Sequence, residues 1–279
     1  MNVLKKFFRK QNFMDVTGYN CGVSLAGPPI MTAWCFVADG VLIDTGTRHL
    51  RGQIIEAMAA DCPDTILITH HHEDHSGNAG PLKVNLGIPV FGHPLTARKL
   101  RTPFKIKPYQ HLVWGKSDPV LVTPFPDLIE TRSLRFRPIH TPGHSEDHTV
   151  YLEETRGMVF SGDLFLGERI KFFRADECFE DQLVSLRRVL EFDFEHLFCA
   201  HRPTMEKGKE ALARKLDFLL DLYGTVKDLR QKGWSTRAII RRLDRKNDRT
   251  VKWITLNNAC FSHMARSAIR LADKEISPA

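Results

Sequence analysis

The stretch ITHHHEDHSG, residues 68 to 77, sets four imidazoles and two carboxylates within six consecutive positions. Imidazole and carboxylate suit Zn²⁺, and Fe or Mn as well, so the cluster points to metal binding rather than to a solvated loop. What precedes it constrains the fold. TILIT, residues 65–69, is a continuous apolar, β-branched run and reads as a buried strand. The histidines therefore sit at a strand end. Alternate residues there point the same way, so His70 and His72 can reach one ion together. Asp74 and His75 follow as the chain turns and can face a neighbouring ion.

Other candidates fall at the ends of other predicted strands: His144 in HTPGHSEDH, Asp163 in FSGDLF and His201 in FCAHRP. Eight of the thirteen histidines lie in 70–75, 140–148 and at 201, a concentration that random placement does not produce. AWCFVADGVLIDTG reads as a hairpin with Asp39-Gly40 as its two-residue turn. IPVFG, LRFRPIHT, HTVYLEE, GMVFSGD and HLFCAH read as further strands. Helical spacing is expected over 49–60 and 179–191, with another helix starting near Ser76 or Asn78. Strands interleaved with helices predict α/β layers with a site along one sheet edge. Six prolines between 93 and 127 argue against long regular elements there.

In this order, H-x-H-x-D-H, T-P-G-H, S-G-D and a lone His after an apolar strand resemble the metallo-β-lactamase superfamily. VLIDTG, residues 41–46, resembles that family's opening motif. The resemblance covers most of residues 20–204. It implies a four-layer αββα sandwich with a small helical C-terminal appendage. It also implies that His70, His72 and His144 hold one divalent metal ion and Asp74, His75 and His201 a second. Asp163 would bridge the two, and Asp44 would stand behind the ligands and orient their loop. Zinc is the first expectation, with iron or manganese as alternatives. A hydroxide bridging the two ions would attack a carbonyl. Many β-lactamases of the family have Cys where this chain has Asp163. The Asp resembles the glyoxalase II and lactamase-like endoribonuclease branches and argues against antibiotic hydrolysis. Asp74 and His148 are the candidate catalytic groups, His148 as a proton donor or substrate contact at the rim or else as a structural group. His71 and Glu73 are expected to point away from the ions, either solvated or behind the ligands.

Charge divides the chain. Residues 205–279 hold 17 Lys and Arg against 9 Asp and Glu, so the net +7 belongs to this segment. Its apolar stripe through Leu212, Leu216, Leu219, Tyr223 and Val226 predicts a helix. Ser235 can cap a second helix running to Leu243, and a third is expected near 256–272. These features set a boundary near 204, between a catalytic domain, 1–204, and a basic helical segment, 205–279. The gap at about 244–254 is too long for a helix-turn-helix.

The leading functional expectation is a binuclear hydrolase of a small, anionic thioester, lactone or other ester. Arg98, Lys99, Arg101, Lys105 and Lys107 with Phe104, Tyr109 and Trp114, together with Arg169, Lys171 and Arg174, are candidate substrate contacts. The alternative is a metal-dependent endoribonuclease or phosphodiesterase that grips RNA through Arg241, Arg242 and Arg245. No apolar run approaches the ~18 residues of a membrane span. Six scattered cysteines without a C-x-x-C pair, and no export signal, place the chain in the cytoplasm by expectation.

Overall fold

The computed structural model describes residues 4–29, 31–244 and 248–276. Among them the chain builds two facing sheets and a small ribbon. Strands β1 (Lys5–Phe13), β2 (Val16–Ser24), β3 (Ala33–Ala38), β4 (Val41–Ile43), β5 (Thr65–Leu67), β6 (Val90–Gly92) and β7 (Thr123–Pro124) form the first sheet in sequence order. Its first four strands are an antiparallel meander. From β4 onward the pairing is parallel. The crossovers carry helices α1 (Arg51–Asp61), α2 (Glu73–Ser76), α3 (Ala79–Leu86), α4 (Pro94–Leu100) and α5 (Pro108–Val113). Both α4 and α5 begin on a proline, whose missing N–H costs nothing at a helix start.

The second sheet contains β8 (Ile129–Glu130), β9 (Arg135–His140), β10 (Thr149–Glu153) and β11 (Met158–Gly162), together with β13 (His196–Cys199). The last is parallel to β11 and is reached through α6 (Phe179–Leu190). The ribbon joins β12 (Phe173–Arg174) to β14 (Ala259–Cys260). The remaining helices are α7 (Gly208–Gln231), α8 (Thr236–Leu243), α9 (Asp248–Ile254) and α10 (Phe261–Ile276).

Strand alternation sorts the apolar side chains into three cores. Val41, Ile43, Leu67, Tyr151, Phe160 and Phe198 point between the sheets. Their neighbours Leu42 and Ile66 point instead at α1 and α3, against Ile54, Met58 and Leu82. On the far side Val150, Leu152, Val159 and Leu197 meet α6, α7 and α10 through Leu186, Leu212, Leu219 and Met264. Period-two burial on both faces makes two sheets with helices outside, the expected αββα order. The C-terminal helices share the apolar core of the second sheet with α6.

Asp39 and Gly40 both adopt positive φ, 45° and 81°, the primed hairpin turn their sequence predicts. The Ser235 side chain accepts from the Ala238 N–H, capping α8 as expected. Two expectations change. The stretch 244–254, read as a gap, contains α9, and the following helix begins at Phe261 rather than near 256. Leu256 and Asn257 take positive φ and end α9, and pairing of β14 with β12 delays α10. The long β1–β2 hairpin shows no apolar alternation along β1, a largely exposed edge rich in Lys and Arg, the composition that guards an open edge. No helix among the described residues is long and apolar enough to cross a membrane.

Candidate metal centre

Parallel pairing brings the chemistry to one rim. Because β4 and β5 run together, Asp44 after the first and His70–His75 after the second emerge side by side. The Asp44 N–H donates to Leu67 O at 2.9 Å. In the facing sheet, parallel β11 and β13 deliver Asp163 and His201 to that edge, while the β9–β10 loop delivers His144. Sites at the carboxyl ends of parallel strands follow from this geometry.

The seven residues meet in two groups. His70, His72, His144 and Asp163 form one, and Asp74, His75 and His201 the other. Within each group one potential ligand atom per residue lies within 4.8 Å of the rest. His70 Nε2 lies 2.8 Å from His72 Nδ1, which lies 3.0 Å from His144 Nε2. Asp163 links the groups: its Oδ1 is 3.3 Å from both His75 Nε2 and His201 Nε2, and its Oδ2 is 3.2 Å from His144 Nε2.

The outward nitrogens of most of these rings are engaged. Thr69 Oγ1 lies 3.1 Å from His70 Nδ1, Asp44 accepts from His75 Nδ1 at 2.7 Å, and Thr32 O accepts from His201 Nδ1 at 2.6 Å. Asp44 also accepts from the Thr69 N–H at 2.8 Å and the Thr69 hydroxyl at 2.9 Å. Its φ of 59° is one that Asp tolerates better than most residues. Glu177 Oε1 stands 3.4 Å from His144 Nδ1. His70, His75 and His201 are thus held from behind, while His75 Nε2 and Asp163 Oδ1, facing the convergence, and His72 Nε2 and His144 Nδ1, on the outer side, are buried without a hydrogen-bond partner among the described residues. Convergent imidazoles, three of them held by hydrogen bonds from outside, beside a carboxylate oxygen left bare inside, fit a metal ion.

Electrostatics agree with this fit. Burial, then the positive neighbours, holds His70 and His72 well below the usual imidazole range, in the neutral form that binds metals. Burial alone would lower His75 and His201 too, but nearby carboxylates outweigh it. Asp44, Asp74 and Asp163 push His75 well up, and Asp163 and Asp74 take His201 to about 9. Three carboxylates crowded at one buried edge call for positive charge.

His148 does not reach the cleft. Its Nε2 accepts the Asp163 N–H at 3.0 Å, so Nδ1 carries the proton toward Thr141 Oγ1, 2.8 Å away. Burial pushes this imidazole down to about 3 and keeps it neutral. Gly162 makes room for it: at φ 46°, a Cβ there would lie 2.7 Å from His148 Nε2. Both nitrogens are engaged, the arrangement of a structural group that holds the Asp163 backbone in place. Glu73, expected to face away from the ions, lines the same cleft at 2% exposure. It accepts from Gln110 Nε2 at 3.0 Å, and burial lifts its carboxyl to about 7.

His71 faces Asp147, whose buried carboxylate accepts from His71 N and Nδ1, each at 2.9 Å, and from Thr96 Oγ1 at 2.8 Å. Burial alone would raise Asp147, but the His71 hydrogen bond and then Lys99 hold it well below the carboxylate range. A depressed folded-state value stabilises above the unfolded value of about 4, and that stability is lost as pH falls through the folded one. Asp147→Asn is expected to lose about 2–4 kcal/mol at pH 7 and to flatten acid destabilisation below about pH 4. Urea unfolding at both pH values checks this; parental stability at pH 7 would remove the cluster from the account.

The cleft has a volume of about 1040 Å³. Of the predicted flap, Tyr109 and Trp114 line it, and Arg169, Lys171 and Arg174 line it as well. None of Arg98, Lys99, Arg101, Lys105 or Lys107 is among its lining residues; Lys99 pairs with Glu146 at 3.0 Å. Gln110, Glu177 and the apolar face of α9 were not legible in advance, because each reaches the site from a segment with no motif.

The family model described as the metallo-beta-lactamase superfamily matches residues 33–201. The "Beta-lactamase-like protein 2 homolog" of Drosophila melanogaster is 30% identical over 60% of this chain, a match spanning 56% of that relative's length. A "Hydroxyacylglutathione hydrolase" from Aeromonas hydrophila is 30% identical over 69% of each chain. Among solved structures, a metallo-beta-lactamase from Pontibacter korlensis has a TM-score of 0.61 at 16% identity, covering 77% of this chain and all of that one. A metallo-beta-lactamase family protein from Thermus thermophilus has a TM-score of 0.58 at 19% identity, covering 99% of this chain and 94% of that one. At these identities the two structures speak for the fold.

Proposed function

The chain belongs to the metallo-beta-lactamase superfamily, and from that premise we propose that it is a two-metal hydrolase of a thioester or other activated ester with an anionic leaving half. The observation that carries the reading is the convergence of three imidazole nitrogens at 2.8–3.0 Å beside a carboxylate that reaches both ligand groups. His70, His72 and His144 would hold one ion, Asp74, His75 and His201 the other, and Asp163 both. Bound there, two divalent ions, zinc first among them, supply Lewis acidity for a carbonyl oxygen and water of lowered pKa.

The chain's own residues do the rest. Asp44 and Thr32 fix the ring planes of His75 and His201 from behind, so little reorganisation of those rings is needed during reaction. Asp74 lines the cleft, its Oδ2 3.4 Å from His201 Nε2, and in this reading its carboxylate would take the proton released as water adds to the carbonyl. A new C–O bond forms, the C–S or C–O bond to the leaving half breaks, and the leaving thiolate or alkoxide takes a proton. Arg169, Lys171 and Arg202, exposed at the mouth, favour an anionic leaving half. The relatives named hydroxyacylglutathione hydrolase support a thioester. In this reading residues 1–204 carry the ligands, and residues 205–279 form a helical part that closes one side of the cleft.

The endoribonuclease reading needs the basic segment beside the metals. Arg241 and Arg242 lie exposed on α8, and no cleft-lining residue comes from that helix; Arg245 falls outside the described residues. Elemental mass spectrometry on protein purified without added metal should find about two metal ions per chain, and the loaded protein should hydrolyse thioesters or lactones in preference to RNA. One iron per chain, or RNA cleavage that falls steeply with salt, would overturn the proposal.

A further inference from the structure

One end of the cleft is polar, formed by His72, Asp74, His144, Asp163 and His201. The remainder is mostly apolar. Phe165, Leu166, Ile170 and Phe172 supply one wall from the segment after β11. α9 and the residue after it also line the cleft, through Val251, Ile254 and Thr255. Spacings of three and four put those three on one helical face. That part of the lining is held in place from two directions. Arg174 pairs with Ala259 across the ribbon, and Asn258 Nδ2 donates to Tyr109 Oη at 2.7 Å. The C-terminal segment, the flap helix α5 and the segment after β11 thus enclose one continuous space that opens onto the ligand groups.

A two- or three-carbon acyl group would leave most of that wall wet. Two large apolar side chains that line the cleft, Met31 and Ile254, remain 50% and 46% exposed. Apolar surface gathered in a concavity beside polar groups marks a ligand site. We propose that the acyl half of the substrate is an extended apolar chain of about eight to twelve carbons. It lies between the segment after β11 and α9, with its carbonyl at the ligand groups. This rests on the hydrolase reading above and deepens it. Chain length then sets specificity, because each methylene removed from water contributes up to about fourfold.

The test uses the full metal-loaded chain and thioesters of one thiol, N-acetylcysteamine, with acyl groups of two, four, eight and twelve carbons. From two carbons to eight, kcat/KM is expected to rise at least about a hundredfold, most of it through KM. Ile254→Glu should lower the eight-carbon value at least about tenfold more than the two-carbon value. Calorimetry adds a readout independent of turnover: octanoate should bind at least about tenfold tighter than acetate. Equal kcat/KM across the series, or octanoate binding no tighter than acetate, overturns the proposal. Tight octanoate binding without hydrolysis of any thioester would support the acyl site and reject the hydrolase reading, which separates the two failures.

Discussion

Asp163→Ala is expected to lower kcat/KM at least about a thousandfold and to reduce bound metal from about two ions per chain to one or fewer. Among the described residues, no other carboxylate lies within 3.3 Å of histidines in both ligand groups. Its own burial would raise its pKa, yet His201, His75 and His144 hold it well below the carboxylate range. It is therefore an anion surrounded by imidazoles, and removing it leaves those rings without the charge they converge on. The fold should survive, since Asp163 sits at the rim, past the end of β11, and takes no part in the three apolar cores. Elemental analysis and thioester kinetics on the same preparation provide the check. A variant that kept two metal ions and parental kcat/KM would show that Asp163 does not join the sites.

The second large effect is at Asp44, which works through other residues. Its carboxylate accepts from the Thr69 N–H, the Thr69 hydroxyl and His75 Nδ1, all buried. Asp44→Ala strands those donors and puts a less tolerant residue at φ 59°. A loss of about 3–5 kcal/mol is expected, with metal affinity about 10–100-fold weaker. Asp44→Asn keeps the backbone preference and one acceptor oxygen, so it should recover most of the stability but not the metal affinity. Thermal unfolding and competition with a chelator separate the two. Equal metal affinity in all three proteins would reduce Asp44 to a structural role.

Local spacing made much of the molecule readable. His70 and His72 share a side because a strand alternates, and Asp39-Gly40 turns because both positions accept positive φ. Ser235 caps a helix because its oxygen reaches the Ala238 N–H. The partition into three apolar cores follows from period-two strands such as Val41–Leu42–Ile43. Where charge masks the pattern, as along β1 and across 244–254, the elements leave no apolar period in the sequence. The N-terminal hairpin turns at Met14-Asp15, with Met14 at φ 53°, a position that carries no Gly or Asn to mark a turn.

By itself the sequence determined the ligand types, their placement at strand ends, the layered α/β class and the basic helical end. Each of these is encoded within a few residues, in side-chain chemistry or in a short period. Only the tertiary structure decided that both His148 nitrogens are taken up by the Asp163 N–H and the Thr141 hydroxyl, that Glu73 lies in the cleft against Gln110, and that α9 lines a cleft tied to the flap by Asn258 and Tyr109, 149 residues apart. Contacts of that separation leave no periodic trace. They exist because two sheets and their helices pack at native density and bring distant segments to one rim.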